Sequence, residues 1–563
     1  MKRIYAIVVL LCLCLALVPF RAAAEFDLPR EALLSSLYES DISTLRQAID
    51  LGLVTCEELT AYYLERIEAY DDPFNCFITI CDDALEVARQ RDRQLADGTG
   101  GGLLFGIPMV IKDNMDLSGY VTTNGKKLKD PTPATANAAV VDYLLQEGAV
   151  IIAKTNMSTA AQSSRDSISA AAGETKNAYS RYMAAGGSSG GSSVAVSLNF
   201  AVASLGTDTN SSLRMPAALN GCVAMRPTFK MLSNQGIVRL NSTRDTPGAI
   251  TRTVYDQALV LDALTQGQYR FAENLNPNVL KGMRIGVLET LSYPLSSGVR
   301  KEANLDPEVQ AAFENALREL EECGAEIVPV SMSRIFTLSD ATMNTNDAGP
   351  KDKLYKAFKT LLTEHELSAV IFPTYLSTPQ RSGKDAEGQY WSVWEQNYIN
   401  NCSILSPSAR VPEITVPIGV HSLGAGMGME IVADLNSEQL LLDIAYSYTS
   451  RFNHRQTPTG APDTYAASNT GSLKDHITAY ELYLNPPTTQ PTTQPAQDSQ
   501  PNQPGEVPPT TQPEPADETN RTWIFLSVAV VLLLIVILLR PKKRRKKRRR
   551  RKNTSPAASR RSH

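Results

Sequence analysis

The chain has 563 residues, and its hydrophobic content of 43 % is enough to bury a large core. Its net charge of −4 hides two opposite regions, because the segment from Arg540 onward carries 14 Lys and Arg and no acidic residue. Residues 25–539 hold 38 basic against 59 acidic residues, a net charge near −21. This acidic part is a poor match for nucleic acid or anionic lipid as a substrate.

The first 24 residues are typical of a secretory signal peptide. Lys2 and Arg3 precede an apolar run over 4–18, and three alanines at 22–24 form a small-residue cleavage site. An uncleaved membrane anchor is the alternative, but the apolar run is short for a spanning helix. We therefore expect the mature protein to begin near residue 25.

Strands and helices alternate through the next 450 residues. A capping box at Thr55 and Glu58 predicts a helix over 57–70, and a strand ends at Lys112. A helix over 136–146 and a buried strand over 150–153 follow. The pattern predicts an α/β fold for a single domain over 25–484, with a central mixed β-sheet covered by helices on both faces.

Two Gly-Ser clusters, GGSSGGS at 186–192 and GTDTNSS at 206–212, surround a short apolar segment. A flexible linker is the ordinary interpretation of such composition, but strong helical and strand patterns follow each cluster at once. Ser188 and Ser212 lie 24 residues apart, and the earlier segment 106–114 reads GIPMVIKDN. With Lys112 inside that segment, the three motifs resemble the amidase signature family of serine hydrolases, which cleave carboxylic amides. The segment 154–158 resembles the K-T-N-M segment of that family, and the segment 161–180 is similar to the peptide-amidase branch.

The resemblance implies a role for each motif. Ser212 is the nucleophile, Ser188 on a cis peptide relays the proton, and Lys112 is the base. The backbone N–H groups of Thr209, Asn210, Ser211 and Ser212 form the oxyanion hole, and no metal or organic cofactor is needed.

The residues themselves support a lysine base. No histidine lies near either serine cluster, and a lysine must be desolvated before it can accept a proton at neutral pH. Taken alone, Lys112 is more often a surface charge or an ion pair with Asp113, and only the two serine motifs favour the catalytic interpretation.

The sequence departs from the family pattern at two places. Asn210-Ser211 stands where Gly-Gly is common before the nucleophile, and Ser would adopt a positive φ there poorly. Thr159 stands where an acid is frequent in the peptide-amidase branch. Both changes bear on the choice of substrate. Arg214 is a candidate for binding a substrate carboxylate, and a structural ion pair with Asp208 is the equal alternative.

Six cysteines remain after the signal peptide, and no spacing among them resembles a metal site. Because a large domain does not need disulfides, we predict buried free thiols for most of them.

The C-terminal part changes composition twice. Residues 485–520 are rich in Pro, Thr and Gln and predict an unfolded linker, and 521–540 predict a transmembrane helix. The basic residues at 541–563 could form a nucleic-acid arm, but directly after a spanning segment they are typical of a cytoplasmic tail. We expect a single-pass protein of the cell membrane with its catalytic domain outside.

The leading hypothesis is an exported, membrane-anchored amidase that acts on a small amide or a peptide amide. It predicts no nucleic-acid partner and no obligatory protein partner. Two alternatives stay open. One is a surface binding or scaffold protein that keeps the fold without turnover. The other is the amidase subunit of a tRNA-dependent amidotransferase, which export disfavours.

Overall fold

The computed structural model describes residues 26, 28–288, 292–294, 300–302, 305–342, 347–377, 379–384 and 405–485. The predicted signal peptide, transmembrane helix and basic tail lie outside these residues, as does the predicted linker apart from residue 485. Within the described ranges, no helix has the length and apolar character needed to cross a bilayer.

One sheet of eleven strands forms the centre of the domain. The strands, in chain order, are β1 Phe77–Ile80, β2 Pro108–Lys112, β3 Val150–Thr155, β4 Ala203–Asp208, β5 Val223–Arg226, β6 Thr246–Thr251, β7 Arg284–Leu288, β8 Glu326–Val330, β9 Ala369–Pro373, β10 Glu413–His421 and β11 Ala425–Val432. They lie side by side in the order β1-β3-β2-β4-β6-β5-β10-β11-β9-β7-β8.

The sheet is mixed. Strand β2 pairs in parallel with β3 and β4, and β7 pairs in parallel with β8 and β9. The strands between these groups pair antiparallel. Every residue of β2, β3 and β4 is buried, as expected for strands at the centre of an α/β domain.

Helices pack around this sheet. Those of the described residues are α1 Arg30–Ser36, α2 Ile42–Asp50, α3 Cys56–Tyr70, α4 Ala84–Ala96, α5 Ala139–Gln146, α6 Gly190–Ser197, α7 Arg214–Leu219, α8 Val254–Leu264, α9 Pro307–Glu322, α10 Ser333–Thr342, α11 Ala348–Glu364, α12 Leu405–Ala409, α13 Glu438–Arg451 and α14 Leu473–Leu484. The capping box predicted for α3 is present, with Thr55 Oγ1 accepting the Glu58 N–H at 3.0 Å. The α/β prediction with a mixed sheet is confirmed.

Three strands of this sheet were not predicted from the sequence, namely β5, β6 and β11. Strand β6 reads TPGAIT, and its Pro and Gly predict a turn when the segment is considered alone. It is a strand because β4 on one side and β5 on the other supply its hydrogen-bonding partners. Pairing between distant segments therefore overrides the local preference.

Five of the six cysteines lie in the described part of the chain, and all five are free thiols. The thiols of Cys56, Cys76, Cys81 and Cys222 are buried, as predicted, and Cys323 is half-buried. Cys402 lies outside the described residues.

Candidate active site

The candidate site lies at the edge of the sheet where β2 and β4 end. The two strands run parallel, with Ile111 beside Leu205, so their carboxyl ends meet at the same edge. Lys112 is the last residue of β2, and Asp208 is the last residue of β4. This edge is where open α/β sheets commonly place their ligands.

Lys112 is fully buried and surrounded by hydroxyl groups. Its Nζ lies 2.6 Å from Ser188 Oγ, 2.9 Å from Ser189 Oγ and 3.0 Å from Thr207 Oγ1. The predicted contact between Lys112 and Ser188 is therefore present in the structure. Ser189 and Thr207 were missed by the sequence analysis, although Thr207 lies one residue before the end of the strand next to Lys112.

Burial changes the proton affinity of this lysine. Desolvation lowers the pKa of Lys112 to about 7, although the negative charges of Asp208 and Asp245 act in the opposite direction. Desolvation outweighs the two charges because the ammonium has no carboxylate within ion-pair distance among the described residues. A lysine with such a pKa is about half neutral near pH 7, and in that form it can accept a proton.

The ion pair between Lys112 and Asp113, the alternative to a catalytic lysine, is not formed. Asp113 instead pairs with Lys154, whose Nζ lies 3.2 Å from its Oδ1, and both side chains are fully buried. Asp113 lies just past the end of β2, and Lys154 of the neighbouring strand β3 is its partner.

The two serine segments meet in space. The peptide bond between Gly187 and Ser188 is cis, as the family resemblance implies, and the Ser189 N–H donates to the Ser212 carbonyl at 3.2 Å. Gly187 is packed tightly, since a Cβ at this position would lie 2.0 Å from the Asp166 carbonyl oxygen. Ser212 itself is 5 % exposed, so a small opening reaches it.

The turn before Ser212 has free backbone donors. None of the described residues accepts a hydrogen bond from the N–H groups of Thr209, Asn210 or Ser212. Asn210 and Ser211 are not among the described non-glycine residues that have a positive φ. Asn210-Ser211 in place of the family's Gly-Gly therefore requires no left-handed backbone. The Thr209 hydroxyl donates to Asp245 at 2.6 Å and ties the turn to the segment before β6.

Arg214 is a buried structural residue, which corrects the expectation that it binds a substrate carboxylate. Its side chain is fully buried, with Nε 3.1 Å from Asp208 and Nη1 2.6 Å from both Glu413 and Glu430. Its Nη2 donates to the Asn210 carbonyl. The placement matches the structural alternative, since Arg214 braces the turn that carries Ser212.

Two carboxyls of this cluster have pKa values that are shifted in opposite directions. Burial raises the pKa of Glu413 well above its ordinary value, and the neighbouring Glu430 adds to that effect against the attraction of Arg214. Burial also opposes ionisation of Asp208, but Arg214 and Arg226 outweigh it and keep its pKa low. The surroundings thus favour the protonated form of Glu413 and the charged form of Asp208.

Thr159 begins a short 3₁₀ helix over Thr159–Ala161 and follows Ser158, whose N–H donates to the Ser188 carbonyl at 3.3 Å. Its Oγ1 donates to the Gly125 carbonyl at 3.2 Å and accepts the Ala170 N–H at 2.9 Å. The hydroxyl thus connects two backbone segments, and its effect on substrate choice stays a prediction.

Comparison with known proteins places the chain among amidases. The Amidase family model matches residues 58–351. Mandelamide hydrolase of Pseudomonas putida is 31 % identical over 494 residues, covering 75 % of this chain and 93 % of that protein. A glutamyl-tRNA(Gln) amidotransferase subunit of Chlorobium phaeobacteroides is 29 % identical, covering 73 % of this chain and 98 % of that protein.

A solved structure agrees with the sequence relatives. Native peptide amidase from Stenotrophomonas maltophilia superposes with a TM-score of 0.62 at 28 % identity, covering 75 % of this chain and 99 % of that chain. On these matches, the chain belongs to the amidase signature family of carbon–nitrogen hydrolases.

Proposed function

We propose that this protein is an amidase that works through Ser212 as nucleophile, Ser188 as proton relay and Lys112 as base. The observation that carries the proposal is the contact of 2.6 Å between Ser188 Oγ and a buried Lys112 Nζ whose pKa is about 7. A hydroxyl becomes a useful nucleophile only when a base of this kind can remove its proton.

In the proposed reaction, protons pass between Ser212, Ser188 and Lys112. Ser212 Oγ attacks the amide carbonyl while its proton passes to Ser188, and Ser188 passes its own proton to neutral Lys112. The C–N bond then breaks as the relay returns a proton to the leaving nitrogen, which leaves an acyl ester on Ser212. Water enters, loses a proton along the same relay and releases the carboxylic acid and the free serine.

The free backbone N–H groups of the turn before Ser212 stabilise the oxyanion that forms during the attack. The N–H groups of Thr209, Asn210 and Ser212 have no acceptor among the described residues, and they belong to the turn that carries the attacking serine. Donors held in place before the reaction stabilise the developing oxyanion without reorganisation. Arg214 keeps the turn in position through the Asn210 carbonyl.

The substrate proposal is a carboxylic amide with a small or peptide-derived acyl group. Its support is the likeness to a peptide amidase and to mandelamide hydrolase. A screen therefore begins with C-terminal peptide amides and mandelamide, measured as ammonia release.

The proposed location is the outer face of the cell membrane. Support comes from the sequence alone, with an apolar N-terminal run, a Pro/Thr/Gln-rich stretch and an apolar segment followed by basic residues. N-terminal sequencing of the mature protein should begin near Glu25, and protease added to intact cells should remove the catalytic domain. A mature protein that begins at Met1 and resists the protease would contradict this location.

Labelling with a fluorophosphonate probe tests the serine-lysine mechanism. The full-length chain should label, whereas Ser212→Ala and Lys112→Ala should not. Ser193→Ala is the matched control, because Ser193 is also buried near the site but its hydroxyl has no partner within the described residues. A folded wild type that fails to label would refute the mechanism and favour a binding protein without turnover.

The likeness to an amidotransferase component favours a second candidate, in which the chain works only with partner proteins. Steady hydrolysis of an amide by the purified chain alone would argue against it. Turnover that appears only after those partners are added would support it.

A further inference from the structure

A cavity of about 450 Å³ lies away from the serine-lysine site. Its lining includes Lys230, Lys351 and Arg410, but neither Lys112 nor any hydroxyl that contacts Lys112. Its volume is in the range of small-molecule sites. Nothing in the proposed amidase mechanism uses it.

The most unusual group in the cavity is the ammonium of Lys351. This side chain is 1 % exposed, and its only hydrogen-bond partner in the described chain is the Thr243 hydroxyl. Two of its three donors are therefore left over, and no carboxylate of the described residues pairs with it. A buried charge without an opposite charge is costly unless a ligand supplies that charge.

The electrostatic surroundings of Lys351 are positive. Burial is the largest influence that lowers the pKa of Lys351, and the positive charges of Arg410 and Arg244 lower it further against the single opposing charge of Asp347. Lys351 also lies in the first turn of α11, where the helix dipole disfavours a cation and favours an anion. The position suits an anion that would sit between these groups.

Arg410 contributes a second unsatisfied donor. Its Nε is buried and has no acceptor among the described residues, and its Nη1 lies 3.5 Å from Asp352, which is long for an ion pair. Lys230, Lys351 and Arg410 line the cavity together with Asp352 as the only acidic residue. The lining thus carries an excess of positive charge.

The backbone around the cavity is held in uncommon conformations. Three of its non-glycine residues have left-handed φ values: Lys230 at 74°, Arg410 at 66° and Asn436 at 60°. Hydrogen bonds fix these segments to one another, from the Phe229 N–H to the Arg410 carbonyl at 3.2 Å and from the Asn436 N–H to the Thr228 hydroxyl at 3.0 Å. Such conformations cluster at ligand sites, where they aim particular side chains.

We propose that this cavity binds a small molecule through a phosphate or carboxylate group, which Lys351 and Arg410 hold. The guanidinium presents planar paired donors, the ammonium adds a point charge, and both suit oxyanions. The remaining hydroxyl, amide and aromatic groups of the cavity contact the body of the ligand. The site is independent of the proposed amidase chemistry.

Thermal unfolding of the full-length chain tests the proposal with inorganic phosphate and malonate as probes. At constant ionic strength set with chloride, the Tm of the wild type should rise with one or both anions and then saturate. Lys351→Met should weaken the apparent affinity at least about tenfold. Lys353→Met is the matched control, since Lys353 is an exposed residue of the same helix, and it should respond like the wild type.

Two further variants keep the test decisive. If Lys351→Met does not fold, Arg410→Asn replaces it, because Asn tolerates the left-handed backbone at this position. Ser212→Ala should keep the full response, and its loss would place the anion at the catalytic serine and overturn the proposal. A wild-type Tm that follows ionic strength alone, or an equal response in Lys351→Met, would also overturn it.

Discussion

Lowering the pH through neutrality should switch off amide hydrolysis, because it protonates the lysine that serves as the base. Desolvation lowers the pKa of Lys112 from its ordinary 10.5 to about 7. Lysine accepts a proton only when neutral, so activity should be present above this pKa and lost below it. At two pH units below the pKa only about 1 % of the lysine is neutral, so kcat/KM should fall about 100-fold between pH 9 and pH 5.

The assay is the initial rate of ammonia release by the full-length chain between pH 5 and pH 10 at constant ionic strength. Because kcat/KM reports the free enzyme, its midpoint should lie near the pKa of Lys112. Asp245→Asn removes a negative charge that raises this pKa, so the midpoint should move to lower pH. Ser193→Ala should leave the profile unchanged.

Two results would refute this reasoning. A kcat/KM that does not change across the range would mean that no group with a pKa near neutrality controls the reaction. A rate that is still rising at pH 10 would mean that Lys112 keeps its ordinary pKa and that burial does not activate it.

Three substitutions test the packing that positions the site. Gly187→Ala should destabilise the protein by at least about 2 kcal/mol in urea unfolding, because its Cβ would lie 2.0 Å from the Asp166 carbonyl oxygen. Arg214→Gln should cost about 3–5 kcal/mol in the same measurement, because it leaves buried carboxylates without their guanidinium. Thr55→Ala should lower the free energy of unfolding by about 1 kcal/mol through loss of the α3 cap.

Each substitution has a matched control. Gly101→Ala should be nearly neutral, since no atom lies within 4 Å of the added Cβ. Arg270→Gln breaks an exposed ion pair and should change stability by less than about 1 kcal/mol. Thr55→Ser keeps the capping oxygen and should retain the wild-type stability. Controls as damaging as their partners would show that local packing is not the cause.

The buried cluster around Arg214 gives the nucleophile turn a support that reaches across the sheet. Arg214 contacts Asp208 at the end of β4, Glu413 on β10 and Glu430 on β11. Because all four side chains are fully buried, the cluster is shielded from solvent. It therefore fixes the Asn210 carbonyl, and with it the direction of the neighbouring N–H groups.

Local patterns in the sequence determined much of the secondary structure and the main candidates for the site. The capping box at Thr55 and Glu58, the strand that ends at Lys112 and the spacing between Ser188 and Ser212 can all be read along the chain. The capping box and the strand depend on residues within a few positions of one another, where capping chemistry and hydrophobic periodicity act directly. Ser188 and Ser212 lie 24 residues apart and were singled out by the family resemblance.

Only the tertiary structure decided how these residues act. Lys112 meets Ser189 and Thr207 because three distant segments converge at one edge of the sheet, and burial at that edge sets its pKa. Arg214 became a structural residue because Glu413 and Glu430, about 200 positions along the chain, fold against it. Burial and the nearest opposite charge are properties of packing between distant segments, and no local pattern contains them.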